Sequence, residues 1–327
     1  MTVSEATSPN SPISTRRGAS LHTQTLAALW VLLWQTLHTF TGAIVRVTGS
    51  GLGCETWPNC QAGSLVPVPG AEPAIQQAIE FGNRLLALVL IVLCVWFLWS
   101  VFAGGRRTEI KALAWFQIAG FFVQAVVGGV SVWIDLKWYG VALHMLLSLV
   151  LIYAAAIAYV RVTEPDDAAP VAMYSPRAKN LGLVGTIAMA IVLITGTMTT
   201  GAGPHAGDLD DGMLGRFDVN LTMMTGIHTI AVIVFTVCAV VLVGAIKASN
   251  SQDRAKSLSS SLLGVIALQA IIGIVQYIFG LPRFIVPFHV MMAAVVTLHM
   301  GMLYAFGVQR LGTEQDAAID TTTRVTA

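Results

Sequence analysis

Charge is what this chain lacks most. Of its 327 residues only 11% are Asp, Glu, Lys or Arg, less than half the share of about 25% in a soluble domain, and 55% are hydrophobic. That excludes a water-soluble globular domain. The formal charge of +1 says nothing about nucleic acid, and no basic cluster points to a nucleic-acid surface. Four cysteines are too few for a disulfide scaffold, and none of them has a second ligand pair nearby to make a zinc site. A small-residue cleavage site after the first apolar run is also missing, so Arg16-Arg17 is read as a positive-inside anchor and not as a processed signal.

What is present is a series of long apolar runs. A helix needs about 20 mostly apolar residues to cross hydrocarbon, and eight segments meet that measure: 26–47, 79–102, 112–134, 138–160, 181–200, 221–245, 262–281 and 286–306. The expected fold is an all-α integral membrane protein of eight transmembrane helices. With the N-terminus inside, 13 Lys and Arg fall on the inner side and 5 on the outer, which predicts cytoplasmic termini at both ends. Residues 1–25 and 310–327 read as polar cytoplasmic tails, expected to be disordered.

The chain is duplicated. Asn83 and His144 are 61 residues apart, and so are His228 and His289. A shift of 145 carries the first pair onto the second, and carries Gln124-Ala125-Val126-Val127-Gly128 onto Gln269-Ala270-Ile271-Ile272-Gly273. A constant shift through three segments marks an internal repeat. Residues 26–162 and 181–309 are then two four-helix bundles joined by a cytoplasmic linker, 163–180, whose Pro165, Pro170 and Pro176 oppose a continuous helix. Four helices per unit gives both units one orientation, predicting parallel bundles related by a pseudo-two-fold axis along the membrane normal. Glycine-rich exits, Val47-Thr48-Gly49-Ser50-Gly51 and Thr199-Thr200-Gly201-Ala202-Gly203, lead into longer outer segments.

Asn83, His144, His228 and His289 all lie near the outer ends of helices expected to run inward. An iron porphyrin held between two helices needs an imidazole from each side at one level, and His228 with His289 meet that need. The first unit sets His144 against Asn83, whose amide is a poor iron ligand, so one axial position there is open or weakly filled. A lost haem site, with His144 as a relic, also fits the spacing. Glu80 precedes Asn83 by three residues, close to one helical turn, and Arg84 follows Glu80 at i+4. Either they form an intrahelical ion pair, or Glu80 handles protons at a haem edge and Arg84 meets a propionate. His22 is assigned to the headgroup region, and His38 and His299 to structural roles. His205 faces either a haem edge or solvent. Cys54 and Cys60, on the oxidising side, form a disulfide, remain two thiols, or belong to a metal pair. Cys94 and Cys238 read as apolar packing.

Several stretches carry a family resemblance. They are Thr41-Gly42 through Thr48-Gly49-Ser50-Gly51 to Gly53-Cys54 and Trp57-Pro58-x-Cys60; Ile79-Glu80 with Asn83-Arg84; Leu143-His144; Thr195-Gly196 with Gly203-Pro204-His205-Ala206-Gly207-Asp208; and Gln276-Tyr277 with Gly280-Leu281-Pro282 before His289. Together they resemble haem A synthase, in a form similar to its actinobacterial branch. The resemblance implies an oxidoreductase of the cell membrane that converts the C8 methyl of haem O to a formyl group through alcohol and hydrated-aldehyde stages. It implies haem b on His228 and His289, substrate haem O in the first unit with Glu80 catalytic, and Cys54 bonded to Cys60. Implied partners are haem O, a haem O synthase as donor, an electron donor and membrane lipids, with a homo-oligomer allowed. Two departures stand out: Asn83 replaces a histidine, and the second outer cysteine pair of many members is missing. A membrane cytochrome b fed by quinol would also use paired histidines but predicts two matched sites. A two-repeat transporter explains the duplication but not ligand-type residues near one membrane edge.

Overall fold

The computed structural model describes residues 18–204 and 216–311. Eight helices follow in order: α1 (Leu21–Val47), α2 (Ala74–Ala103), α3 (Thr108–Trp133), α4 (Trp138–Val162), α5 (Pro176–Ala202), α6 (Leu221–Lys247), α7 (Asp253–Ile278) and α8 (Val286–Phe306). All eight are long and apolar enough to cross a membrane, so the chain is a multi-pass, all-helical membrane protein. Helices satisfy their own backbone groups, which is what a hydrocarbon environment requires of a spanning segment.

Each expected span lies in or overlaps its helix, and most helices extend beyond the span. Hydropathy marks the part in lipid, whereas the hydrogen-bond ladder continues until something caps it. At α1 the Ser20 hydroxyl accepts from the Thr23 amide at 3.1 Å, and at α6 Asn220 accepts from Met223 at 2.9 Å. Pro176 does not break a helix. It stands in the first turn of α5, behind the Ser175 cap, where its missing N–H costs nothing. The helix α7 begins at Asp253, nine residues before its apolar run, and within that polar stretch Ser259, Ser260 and Ser261 return their hydroxyls to carbonyls of their own helix.

Within the linker, β1 (Pro170–Ala172) pairs antiparallel with β2 (Val308–Arg310). This short ladder fastens the linker to the end of α8. Beside it lies a buried ionic cluster in which Glu164 receives Arg107 and Arg161, each at 2.6 Å.

Sequential helices pack in pairs, and α4 meets α8 between the two halves of the chain. That contact is close. A Cβ on Gly301 would stand 2.6 Å from the Tyr153 carbonyl oxygen and 3.0 Å from the Ala156 Cβ, so a glycine is required there. Small residues let helix backbones approach in lipid, where dispersion and not water exclusion drives packing. In the first half, a buried Gln35–Gln117 hydrogen bond of 2.6 Å joins α1 to α3.

Candidate functional site

Between the eight helices lies a large, partly open cavity of about 1870 Å³, whose walls come from both halves. A pocket for one drug-sized ligand spans roughly 300–1,000 Å³, so the volume suits more than one large ligand. Asn83, His144, His228 and His289 all line it, as do Glu80 and Arg84. Each of the four repeat-matched residues lies within the first three turns of its helix.

Three imidazoles press their Cε1 atoms close to glycines of a neighbouring helix. A Cβ added to Gly128, Gly196 or Gly273 would fall 3.2, 3.1 or 3.0 Å from Cε1 of His144, His228 or His289. Gly128 and Gly273 are the repeat-matched glycines of the Gln-Ala-x-x-Gly stretches. The glutamine of each stretch holds the same histidine by its backbone: Gln124 Nε2 donates to the His144 carbonyl at 3.1 Å, and Gln269 Nε2 to the His289 carbonyl at 3.0 Å. On the other side of each half, a threonine contacts the facing residue. Thr195 Oγ1 is 3.1 Å from His228 Nδ1, and Thr41 Oγ1 donates to Asn83 Oδ1 at 2.8 Å.

These threonines and their glycines, Thr41-Gly42 and Thr195-Gly196, are related by a shift of 154. Sequence reasoning about ligands passed over them because the ruler of 145 does not reach the first helix of each half. The one break in the frame is at Asn83. Nothing lies within 4 Å of a Cβ built on Gly42, whereas His228 covers the corresponding Gly196.

The residues fit a haem. His144 and His289 each keep a buried Nδ1 with no hydrogen-bond partner, a state that costs about 1–3 kcal/mol per group unless a ligand fixes the ring. Among the described residues no group of three His, Cys, Asp or Glu is gathered to chelate a bare ion. A porphyrin supplies its own four in-plane nitrogens and asks the protein only for axial ligands and a cradle. The ring-on-glycine contacts are such a cradle, and the Thr195 contact is the kind of outer partner that orients a ligating imidazole.

Glu80 sits in the wall of the first half, 6% exposed. Arg84 Nη2 approaches Glu80 Oε1 at 2.6 Å, and the Cys54 amide donates to Glu80 Oε2 at 2.8 Å. Arg84 also donates to the carbonyls of Cys54, Thr56 and Asn59 at 3.0–3.1 Å. The ion pair is therefore formed, and both side chains also clamp the outer loop. Cys54 and Cys60 are joined by a disulfide inside that loop. Trp57, between them, stands edge-on to Trp133 and covers Gly129, the residue after the His144 cradle. The loop thus connects Glu80 on α2 to the His144 layer on α3 and α4.

The other histidines divide. His299 Nδ1 bonds the Val295 carbonyl of its own helix at 2.8 Å, a structural role. His22 is exposed at the start of α1. His205 lies outside the described residues. His38 lines the cavity, and its Nδ1 is buried without a partner; a structural role does not account for that.

Comparison with known proteins agrees with the residue pattern. The chain is 36% identical over 117 residues to "Heme A synthase" of Exiguobacterium sibiricum, covering 33% of this chain and 36% of that protein. It is 32% identical over 178 residues to "Heme A synthase" of Geobacillus kaustophilus, covering 53% of each. It is also 33% identical over 100 residues to "Protoheme IX farnesyltransferase" of Thermus thermophilus, covering 30% of this chain and 16% of that protein. The aligned stretches span about a third to a half of the haem A synthase relatives. A family model described as "Cytochrome oxidase assembly protein" matches residues 25–300. The chain belongs to the COX15-CtaA family of cytochrome oxidase assembly proteins.

Proposed function

We propose that this protein is a haem A synthase of the cell membrane, an oxidoreductase that converts the C8 methyl of haem O to a formyl group. The observation that carries the reading is the repeated ligand frame, intact on one side of the cavity and altered on the other, with a buried carboxylate beside the altered one. A transporter needs no such frame. An electron-passing cytochrome has no use for the asymmetry.

In the second half, His228 and His289 would hold haem b. A six-coordinate haem supplies one-electron transfer. Thr195 fixes the His228 ring through Nδ1, the Gln269 amide holds the His289 backbone, and Gly196 and Gly273 let both rings lie close to their neighbouring helices.

In the first half, His144 would hold the substrate iron, and Gly128 and Gln124 set the position of that imidazole. Glu80 is the group for proton handling as the methyl C–H bonds are oxidised. Its carboxylate is held at two points, by Arg84 and the Cys54 amide, so it cannot turn away from the wall. Positioned acid–base groups contribute roughly 10²–10⁴-fold to rate. The disulfide-closed loop holds Arg84 and Glu80 together and covers the outer end of α2.

The partners are haem O, the synthase that makes it as donor, and an oxidant that takes the four electrons lost as methyl becomes formyl; with dioxygen in that role, reduced to water, an electron donor is needed as well. The partial likeness to a protohaem farnesyltransferase agrees with a place next to the enzyme that makes the farnesylated haem.

The test is expression with and without a haem O synthase in a host that makes neither haem O nor haem A, followed by extraction and mass identification of the haems. Haem A appearing only with both proteins supports the reading. Haem b alone, whatever is co-expressed, would identify an electron-passing cytochrome, and a haem-free protein would favour a transporter.

A further inference from the structure

We propose that His38 of α1 completes the first-half site, as the imidazole that meets the haem iron opposite His144 in place of the histidine missing at position 83. The inference rests on the proposed haem site in that half and goes beyond it, since neither the repeat nor the family resemblance assigns His38 a role.

The first argument is position. The cavity-facing stripe of α1 maps onto that of α5 with a shift of 154: Gly42 onto Gly196, Thr39 onto Leu193, and His38 onto Val192, all of them in the cavity wall. In the second half the Thr195 hydroxyl lies 3.0 Å from the Val192 carbonyl and 3.1 Å from His228 Nδ1. The residue at this position is therefore next to the ligand imidazole. In the first half the same position carries an imidazole of its own. Thr41 ties the two together, since its hydroxyl lies 3.0 Å from the His38 carbonyl and 2.8 Å from Asn83 Oδ1.

The second argument is space. In the second half the His228 ring covers Gly196, but the surface above Gly42 is clear to 4 Å. Asn83 is too short to cover it. One helical turn away, about 5.4 Å along the axis, the His38 ring has room to rotate toward that surface.

The third argument is chemistry. His38, His144 and His289 are the histidines among the described residues whose Nδ1 is buried with no partner. A buried, unpaired ring nitrogen is costly, and in the other two the haem reading explains it. The first half thus holds a second imidazole on its cavity wall after all, carried by α1 and not by α2.

The experiment uses the full-length protein in detergent, loaded with ferric haem b as probe, as wild type and as His38→Val and His144→Val. Valine is native at the matching position 192, so the His38 variant keeps a side chain the fold accepts. Haem is counted per chain by the pyridine haemochrome, and spin state is read by low-temperature electron paramagnetic resonance. Wild type is expected to hold two haems, both low-spin. His38→Val is expected to hold two, one of them now high-spin, and added imidazole returns it to low-spin. Two haems with one already high-spin in wild type, or a low-spin pair unchanged in His38→Val, would overturn the inference and leave the proposed function standing. A single haem per chain that His144→Val does not disturb would refute the substrate-site reading and this inference together.

Discussion

Replacing Gly196 by alanine places a methyl carbon 3.1 Å from Cε1 of His228; the same change gives 3.0 Å at Gly273 and 3.2 Å at Gly128. Carbon atoms pack at about 3.5–4.0 Å, so each ring must withdraw by roughly half an ångström. Metal–ligand distances tolerate about 0.2 Å. The imidazole cannot both clear the methyl and keep its bond unless the helices separate. Disturbing the groups that orient a ligating histidine typically costs about 10–100-fold in metal affinity, or roughly 1.4–2.7 kcal/mol at 1.36 kcal/mol per decade. Gly182→Ala, on the same helix as Gly196 but away from the cavity wall, is the internal control, since its Cβ meets nothing within 4 Å. Helix propensity works the other way: Gly→Ala in a helix interior gains about 1 kcal/mol, so a loss at Gly196 or Gly273 cannot be blamed on weaker helices. The assay is haem retained per chain and the low-spin fraction after dilution. Gly196→Ala and Gly273→Ala should lose cofactor haem, Gly128→Ala should lose haem at the first-half site, and Gly182→Ala should match wild type. Full low-spin haem in both second-half variants, or an equal loss in Gly182→Ala, would refute the cradle.

Glu80→Gln keeps the shape and removes the charge, so haem b should persist while haem A formation falls by about 10²-fold or more; extracted haems report both, and a normal haem A yield would remove Glu80 from the chemistry. Breaking the disulfide with Cys54→Ser and Cys60→Ser frees a short loop, and by the loop-closure relation should lower stability by about 2 kcal/mol. The same change should cut haem A formation more than haem b content, because the loop holds Glu80 and Arg84 but no ligand of the second half; equal loss of both would contradict that separation. Glu164→Ala removes the buried carboxylate that Arg107 and Arg161 share and leaves them the more exposed Glu109 and, for Arg107, Asp166. Those remaining partners hold the cost below the roughly 3–5 kcal/mol of breaking an isolated buried ion pair, so thermal unfolding in detergent should shift down measurably with haem content unchanged at low temperature.

Much of the molecule is legible in its sequence because lipid imposes simple rules. Apolar runs of sufficient length had to become helices, and all eight did. The duplicated histidine spacing likewise predicted that Asn83, His144, His228 and His289 lie at one depth, a pair in each half, because a repeat keeps the angle and depth of a side chain as well as its order; that both pairs line one cavity was not visible in it. Helix ends were less visible, since Ser20, Ser175 and Asn220 end their helices by hydrogen bonding and not by hydropathy. The β1–β2 ladder pairs three residues with three others about 140 positions away, and no local pattern announces it. In the site, Glu80 and Arg84 were visible as an ion pair, but their hold on the backbone of the outer loop was not, because amides carry no sequence signature. Thr41 and Thr195 could have been found by allowing the repeat a different shift in its first helix. His38 had no partner at any shift, so only its place on the cavity wall brings it forward.

The division of labour between the halves is tested most directly by identifying the haems that stay bound when one side is disabled. His144→Val and His228→Val are each expressed with a haem O synthase, purified, and their haems extracted and weighed. The account predicts haem b alone in His144→Val, and haem O without haem A in His228→Val, since substrate would still enter but lack its electron-transfer partner. Haem A in either variant, or haem O still held by His144→Val, would contradict it.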